Sequence, residues 1–386
     1  MQKSNAIKFI ILLGVVSLFA DITYEGSKSI IGAYLSILKA SGATVGIIIG
    51  LSEIAGYVLR GIFGYISDKT KQYWLMTIIG YVINLSAVPL LATTNSWVTA
   101  GFFIILERLG KAIRVPPRDA MLSYATKQIG RGLGFGIHEA LDQIGAIIGP
   151  LAITILLFFK ESYRFGFAIL AIPAAFSIII LFITRFNYPK PEKMEKQYTN
   201  SKFDKKYWLY ILAVGLFAMG FVNFTLISFH FQKASFSPIW IPFFYSIAMG
   251  VDGLSALIMG KLFDSKGIKV LALATLISAF FAPLVFQGNF QLIFIGMIFW
   301  GIGMGSQESI MRSVVPSLAP PDKRASAYGM LNMSFGLFWA LGSVIMGFFY
   351  DTSIIYLVIF SIVLQLASIP IFLFIGANKD LNHKKI

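Results

Sequence analysis

Charged residues recur at helical spacing within apolar stretches of this chain. Asp21, Glu25 and Lys28 stand at positions i, i+4 and i+7, and therefore share one face of an α-helix. Glu107 and Lys111, four residues apart, begin a second stripe of this kind. Carboxylates in apolar surroundings can bind and release a proton, while Lys and Arg can neutralise them or bind an anion. The first chemistry that these residues suggest is proton binding beside fixed positive charges.

The candidate residues are carboxylates and their polar or basic partners. The carboxylates predicted to take part in proton coupling are Glu107, Glu139, Asp142, Asp21, Glu25 and Glu53. The residues predicted to be counter-ions or substrate contacts are Lys28, Arg60, Arg108, Lys111, Arg114, Asp252, Glu308 and Asn332. Glu53 and Arg60, seven residues apart, are expected on one helix face. A purely structural role, in which these charges neutralise one another as buried ion pairs, stays open for each residue.

The composition indicates which elements must hold these residues. Of the 386 residues, 57% are hydrophobic and 13% are charged, which is far too apolar for a soluble protein. Cysteine is absent, which excludes disulfides and thiolate chemistry. Twelve apolar stretches approach the ~20 residues that cross a ~30 Å hydrocarbon core. These predicted spans cover residues 7–37, 42–66, 73–93, 97–125, 132–158, 165–185, 207–231, 239–262, 268–287, 290–317, 325–350 and 354–376.

The excess of basic residues is explained by topology. The chain has 32 Lys and Arg against 18 Asp and Glu, which in a soluble protein would suggest nucleic-acid binding. With twelve spans, twenty-one of the Lys and Arg fall on one side of the membrane, and the outer side receives only Lys39, Lys160, Arg164 and Lys233. This asymmetry follows the positive-inside rule. We therefore expect a multi-pass protein of the cell (plasma) membrane, with both termini in the cytoplasm and no nucleic-acid partner.

A polar stretch rich in Lys and Glu separates six spans from six. The predicted domains are an N-terminal six-helix bundle at 1–185, a cytoplasmic linker at 186–206 and a C-terminal six-helix bundle at 207–386. Residues repeat between the halves at fixed offsets: Gly64 and Asp68 recur 196 residues later, and Gly110 and Gly149 recur 193 residues later. Such repeats are typical of transporters built from two parallel six-helix halves.

The loop after the second span carries a recognisable signature. Gly64, Asp68 and Lys69 resemble the loop between the second and third helices in the major facilitator superfamily. The resemblance and the repeat together predict a gate made of Gly64, Asp68, Lys69, Lys71, Arg131, Gly260, Asp264 and Arg324. In the fourth span, Arg108 and Gly110 followed by two prolines resemble a further signature of this family.

The fifth span has the glycine spacing of that family's antiporter motif. Gly145, Gly149 and Pro150 match it, and they predict a hinge because they remove side-chain bulk and one backbone donor. The amino-acid sequence of the fourth and fifth spans is also similar to the drug and metal exporter branch of the superfamily. The resemblance implies an all-α integral membrane protein, with twelve transmembrane helices in two pseudo-symmetric six-helix bundles.

The function that this resemblance implies is secondary active transport of a small solute. We expect proton-coupled export by rocker-switch alternating access through a central cavity. Two alternatives stay open, namely proton-coupled uptake of a small organic anion and export of a divalent metal cation. An enzyme is not expected, because the zinc-type His-Glu-x-x-His and nucleophile-elbow Gly-x-Ser-x-Gly motifs are absent from the sequence.

The expected partners follow from this function. They are the lipid bilayer, protons and a small-molecule or ion substrate, and the protein is expected to be a monomer. No cofactor is expected, since the proton gradient supplies the energy. A dedicated metal site is not expected either, because three scattered histidines without cysteine make a poor transition-metal cage.

Overall fold

The computed structural model describes residues 3–126, 131–160, 162–188, 203–320 and 324–377. All regular secondary structure in these ranges is helical, and no β-strand occurs in them. A helix satisfies its backbone hydrogen bonds within one segment, so it is the structure expected for long apolar runs that face lipid. The predicted all-α fold class is confirmed.

The first half of the chain contains eight α-helices in the described ranges. They are α1 (Lys3–Ile37), α2 (Gly42–Glu53), α3 (Leu59–Thr70), α4 (Tyr73–Leu90), α5 (Trp97–Thr126), α6 (Arg131–Phe158), α7 (Tyr163–Ile169) and α8 (Ala171–Asn187). A π-helical turn at Ile54–Val58 joins α2 to α3, and a 3₁₀ turn at Leu91–Thr93 extends α4.

The second half contains nine α-helices in the described ranges. They are α9 (Lys205–Gly220), α10 (Phe224–Lys233), α11 (Trp240–Lys266), α12 (Lys269–Ala279), α13 (Phe281–Gln287), α14 (Phe290–Gly305), α15 (Met311–Leu318), α16 (Arg324–Thr352) and α17 (Ile354–Ala377). A second π-helical turn, at Ser306–Ile310, joins α14 to α15.

Ten helical segments of the described chain are long and apolar enough to cross a membrane. Two predicted spans are not among them. The charges of α5 lower its hydropathy, and α14 is a shorter apolar helix that continues through the π turn into α15. With these two included, the helices match the twelve predicted spans, and the two ends of each span lie within about four residues of their predicted positions. Breaks inside spans, such as the one between α9 and α10, were not predicted.

The contacts divide the described residues into two compact units. Unit 1 holds the residues up to Ala40, those from Leu51 to Tyr188, and Ser228–Ser246. Unit 2 holds Ser41–Gly50, the residues from Phe203 to Ile227, and those from Ile247 onward. Each unit therefore combines most of one sequence half with a short segment of the other half. The linker predicted at 186–206 lies mostly outside the described residues, and the proposed domain division stays a prediction.

Glycine is used in the same way in both units. In unit 1, Gly149 of α6 lies against α1, where an added Cβ would come within 2.8 Å of the Gly26 nitrogen. In unit 2, Gly342 of α16 lies against α9, where an added Cβ would come within 2.8 Å of the Met219 Cα. Only glycine permits so close an approach of two helix backbones. The sequence offset of 193 residues thus corresponds to a repeated helix crossing.

The first turn of α2 is capped by a side chain from a distant helix. Asp351, near the end of α16, accepts hydrogen bonds from the backbone N–H groups of Gly42 and Ala43, each at 2.7 Å. The first N–H groups of a helix have no partner within the helix, so a carboxylate at this position stabilises the helix end. Gly46 and Gly50 continue the contact between α2 and α16.

Candidate functional site

Arg108 of α5 is bound by two carboxylates in unit 1. Its Nη2 lies 3.2 Å from Glu53 Oε1 at the end of α2, and its Nε lies 3.8 Å from Glu107 Oε2. Asn84 of α4 donates from Nδ2 to Glu107 Oε1 at 2.5 Å. The side chains of Glu53 and Glu107 are at most 5% exposed. These groups form a buried ion-pair network of the kind that stays folded because its charges are compensated.

Tyr24 of α1 is surrounded by three cations. The Nζ of Lys111 lies 3.8 Å from the ring centroid, the Arg108 guanidinium carbon 4.9 Å, and the Nζ of Lys28 5.5 Å. Glu25 compensates Lys28 at 3.5 Å and accepts a hydrogen bond from Tyr245 Oη. An aromatic face attracts cations, so Tyr24 allows three positive side chains to lie together in apolar surroundings.

A second group of polar residues, here called the His138 cluster, consists of Ser17, Tyr81, Arg118, His138 and Asp142. His138 Nε2 lies 3.6 Å from Asp142 Oδ2 and 3.3 Å from Ser17 Oγ. Arg118 donates from Nη1 to Ser17 Oγ at 3.1 Å, and Tyr81 Oη lies 3.4 Å from the same oxygen. This cluster joins four helices, α1, α4, α5 and α6, through polar contacts.

Two predicted cations make no ion pair within 4.0 Å among the described residues. Arg114 is 1% exposed and lies with its guanidinium carbon 4.2 Å from the centroid of the Tyr81 ring. Its Nε and Nη1 have no hydrogen-bond partner in the described part of the chain. Lys111 contacts Tyr24 as described, and Asp21 of α1 attracts both cations electrostatically.

The remaining predicted residues of the first half lie apart from these groups. Glu139 is exposed on α6, one residue from His138, and forms no ion pair within the described chain. Arg60 stacks on Tyr57 at 5.1 Å. The expectation that Glu53 and Arg60 share a helix face is wrong as argued, because the π turn at Ile54–Val58 lies between them and breaks the α-helical spacing.

In unit 2 the side chains of two predicted polar residues, Asp252 and Asn332, lie in the described part of the chain. Asp252 of α11 is 2% exposed and Asn332 of α16 is partly buried. No hydrogen bond joins these two described side chains. The side chains of Arg131, Asp264, Glu308 and Arg324 lie outside the described part, so the roles predicted for them stay predictions.

The predicted gate loop ends α3 with a tight turn. Tyr73 donates from Oη to Asp68 Oδ1 at 3.5 Å, and Lys69 is exposed. Lys71 caps α3 with a φ of 59°, and its equivalent in the second half, Gly267, has a φ of 64°. Gly64 packs on Pro116, and Gly260 packs on Ser309 at the equivalent place. The repeated loop signature therefore corresponds to repeated local structure.

The predicted hinge residues lie where α6 crosses α1. An added Cβ on Gly145 would come within 3.1 Å of the Asp21 Cβ, and the Gly149 contact with α1 has been described. α6 runs as one continuous helix from Arg131 to Phe158 and contains Pro150. The glycines thus bring Asp21 close to the α6 face that carries Asp142.

Several residues of the site escaped the sequence argument. They are Ser17, Tyr24, Tyr81, Asn84 and Tyr245. Arg118 and His138 stand at helical spacing from Arg114 and Asp142 in the sequence, but they were not among the predicted site residues. Serine, tyrosine and asparagine are common on the packed faces of membrane helices, so nothing in their spacing marks them. The His138 to Asp142 spacing of four residues was the available signal for that pair.

A model of the Major Facilitator Superfamily matches residues 12–286 and 268–385. The chain belongs to the major facilitator superfamily. It is therefore a multi-pass membrane transporter and not an enzyme. An uncharacterised protein of Mycobacterium tuberculosis (strain ATCC 25618 / H37Rv) is 36% identical over 376 residues, which are 95% of this chain and 92% of the relative.

Two further proteins are similar to this superfamily member over most of its length. The multidrug resistance protein MdtH of Photorhabdus laumondii is 24% identical over 330 residues, which are 83% of this chain and 80% of MdtH. A crystal structure of a variant of the nucleoside transporter NupG matches with a TM-score of 0.79 at 17% identity, covering 94% of this chain and 100% of that chain. At this identity the likeness to NupG shows the fold alone.

Proposed function

We propose that the protein is a proton-coupled exporter in which Asp21 and Asp142 bind the coupled proton. The observation that carries this proposal is a difference among the carboxylates of unit 1. Glu25, Glu53 and Glu107 each lie within 4.0 Å of a Lys or Arg, whereas Asp21 and Asp142 do not within the described residues. A carboxylate held by a fixed cation stays ionised, while one without such a partner can exchange a proton.

The two aspartates also act on each other. Asp21 and Asp142 interact electrostatically across the α1 and α6 crossing, beside Arg114 and Arg118. Two ionised carboxylates at one site repel, which favours a state in which they hold one proton between them. Glu53 and Glu107, by contrast, are better suited to holding α2, α4 and α5 together.

Export rests on two supports. Gly145, Gly149 and Pro150 have the spacing of the antiporter motif, and the relative MdtH is named a multidrug resistance protein. A proton and a cationic substrate compete for the same carboxylates, so their exchange follows from the chemistry of the aspartates. Alternating access of a rocker-switch type would then carry the two in opposite directions.

A second candidate function is proton-coupled uptake of a small organic anion. It is favoured by Lys111 and Arg114, which have no carboxylate within 4.0 Å in the described chain and could bind an anionic group. Protonation of Asp21 would remove one opposing charge from these two cations, so that proton and anion would bind together. Export of a divalent metal has no comparable support, since no three His, Asp or Glu converge among the described residues.

The cellular setting is part of the proposal. The distribution of Lys and Arg favours a cell-membrane location with both termini in the cytoplasm. The proton gradient would supply the energy without a cofactor, and the protein would act as a monomer on a small-molecule or ion substrate.

The experiment follows the pH inside proteoliposomes that contain the purified protein and a trapped pH-sensitive dye. A lipophilic cationic dye and a panel of small organic anions are added outside as probes. Exchange of the cation for protons makes the lumen more alkaline, whereas cotransport of an anion with protons makes it more acidic. Asp142→Asn should abolish the signal, and Asp204→Asn, an exposed residue at the start of α9, should not. A signal that survives in both Asp21→Asn and Asp142→Asn would remove the proposed proton site.

A further inference from the structure

Ser17 of α1 is the meeting point of three polar side chains from three other helices. Its Oγ lies 3.4 Å from Tyr81 Oη, 3.3 Å from His138 Nε2 and 3.1 Å from Arg118 Nη1. A hydroxyl has one hydrogen and two lone pairs, and a guanidinium can only donate. Arg118 therefore occupies one lone pair, and the Ser17 hydroxyl can donate to Tyr81 or to His138 but not to both.

The His138 ring has a second partner at the same nitrogen. Nε2 lies 3.6 Å from Asp142 Oδ2, while Nδ1 is buried without a hydrogen-bond partner among the described residues. A neutral imidazole carries one hydrogen, on either nitrogen. With the hydrogen on Nε2, the ring donates toward an ionised Asp142. With the hydrogen on Nδ1, Nε2 accepts from a protonated Asp142. The protonation state of Asp142 thus selects the tautomer of the ring.

The charges that face this ring come from three helices. Arg114, Arg118 and Asp119 of α5 act on the ring electrostatically, Asp142 of α6 contacts it, and Asp21 of α1 and Glu139 of α6 act on Asp142. Arg118 is itself paired with Asp119 at 2.8 Å. Because two guanidinium groups already place positive charge beside the ring, a proton transfer that leaves the imidazole neutral is the one that fits these surroundings.

We propose that His138 relays the coupled proton to Asp142. When helix motion during the transport cycle opens the buried Nδ1 to water, a proton from water binds to Nδ1, the Nε2–H bond breaks, and that hydrogen forms the Oδ2–H bond of Asp142. The ring is neutral before and after, and one proton has passed from water to the carboxylate. Ser17 keeps the ring in position, and its hydroxyl can follow the change of tautomer by turning between Tyr81 and His138. The relay rests on the proposed function, in which Asp142 binds the coupled proton.

The test follows the protonation of Asp142 directly and needs no substrate. Purified protein in proteoliposomes is subjected to a rapid drop in pH, and infrared difference spectroscopy follows the C=O band of protonated carboxylic acids. The part of the band that is missing in Asp142→Asn belongs to Asp142. In His138→Gln, which keeps a polar side chain but cannot relay, this part should reach its usual size at least about tenfold more slowly.

Control variants separate the relay from a general effect. His230→Gln makes the same change at another buried histidine of unit 1 and should leave the rate unchanged. Should His138→Gln fail to fold, Ser17→Ala serves in its place, since it keeps the ring and removes its hydroxyl contact, and it should also slow the formation of the band.

A band that is lost in Asp142→Asn but forms at the normal rate in His138→Gln or Ser17→Ala overturns the relay alone. If Asp142→Asn loses no band, the proton role of Asp142 fails, and the relay fails with it.

Discussion

The charged residues of the site divide by what they contact. Glu53 and Glu107 each lie within 4.0 Å of Arg108, and Asn84 donates a hydrogen bond to Glu107. Asp21 and Asp142 have no Lys or Arg within 4.0 Å in the described chain. Sequence spacing treated all of these carboxylates alike, since it shows which residues share a helix face but not which charges meet across helices. The distinction between structural and exchangeable carboxylates therefore had to come from three dimensions.

Removing Arg108 should destabilise the protein. Arg108→Gln leaves Glu53 buried without its cation, a change that costs about 3 kcal/mol in comparable buried pairs. We expect a lower midpoint of thermal unfolding in detergent. The double variant Glu53→Gln/Arg108→Gln should recover part of the loss because it removes the uncompensated charge.

The control for this prediction is Lys69→Gln, which removes an exposed cation at the end of α3. It should unfold at the wild-type temperature. An unfolding midpoint for Arg108→Gln equal to that of Lys69→Gln would contradict the view that the Arg108 network stabilises unit 1.

At the level of the helices, the glycines of α6 and α16 have unequal roles. Gly149 and Gly342 lie against the backbones of α1 and α9, whereas an added Cβ at Gly136 or Gly329 would meet nothing within 4 Å. The sequence repeat pairs Gly136 with Gly329 as well as Gly149 with Gly342. Periodicity alone could not say which pair is packed, because both occur at the same offset.

This difference makes a matched prediction about stability. Gly149→Ala and Gly342→Ala should each lower the free energy of unfolding by about 1 to 3 kcal/mol, since the methyl group overlaps a neighbouring helix backbone. Gly136→Ala and Gly329→Ala should be neutral or slightly stabilising, because alanine is the better helix former. The four variants are compared by thermal unfolding under one condition. Equal effects at all four glycines would contradict the close packing of Gly149 against α1 and of Gly342 against α9.

Helix boundaries were largely predictable and helix irregularities were not. Apolar runs and their polar breaks located every span to within about four residues. The π turns at Ile54–Val58 and Ser306–Ile310 have no such signal, because a π turn depends on how a helix packs against its neighbours. That is why the predicted shared face of Glu53 and Arg60 failed.

At the scale of the whole molecule, the composition predicted a membrane protein. The positions of Lys and Arg predicted on which side of the membrane each loop lies. The family match confirms a multi-pass transporter. The side on which each loop lies stays a prediction, and the chain is well suited to test it because it contains no cysteine. A single introduced cysteine is therefore the only thiol in the protein.

Two lysines offer a matched pair for this test. Lys39 follows α1 and Lys71 follows α3, and both have a φ near 60°. The positive-inside argument places Lys39 outside and Lys71 inside. A membrane-impermeant maleimide added to intact cells should label Lys39→Cys at once and Lys71→Cys only after the cells are permeabilised. The opposite pattern would reverse the predicted orientation.

The carboxylate of Asp351 has a further consequence for the first turn of α2. It holds the amide hydrogens of Gly42 and Ala43, and a held amide hydrogen exchanges with deuterium only when its bond opens. The exchange rates of these two amides therefore report how often the contact between α2 and α16 opens. Hydrogen exchange at these two amides thus measures the opening of this helix contact in the unmodified protein.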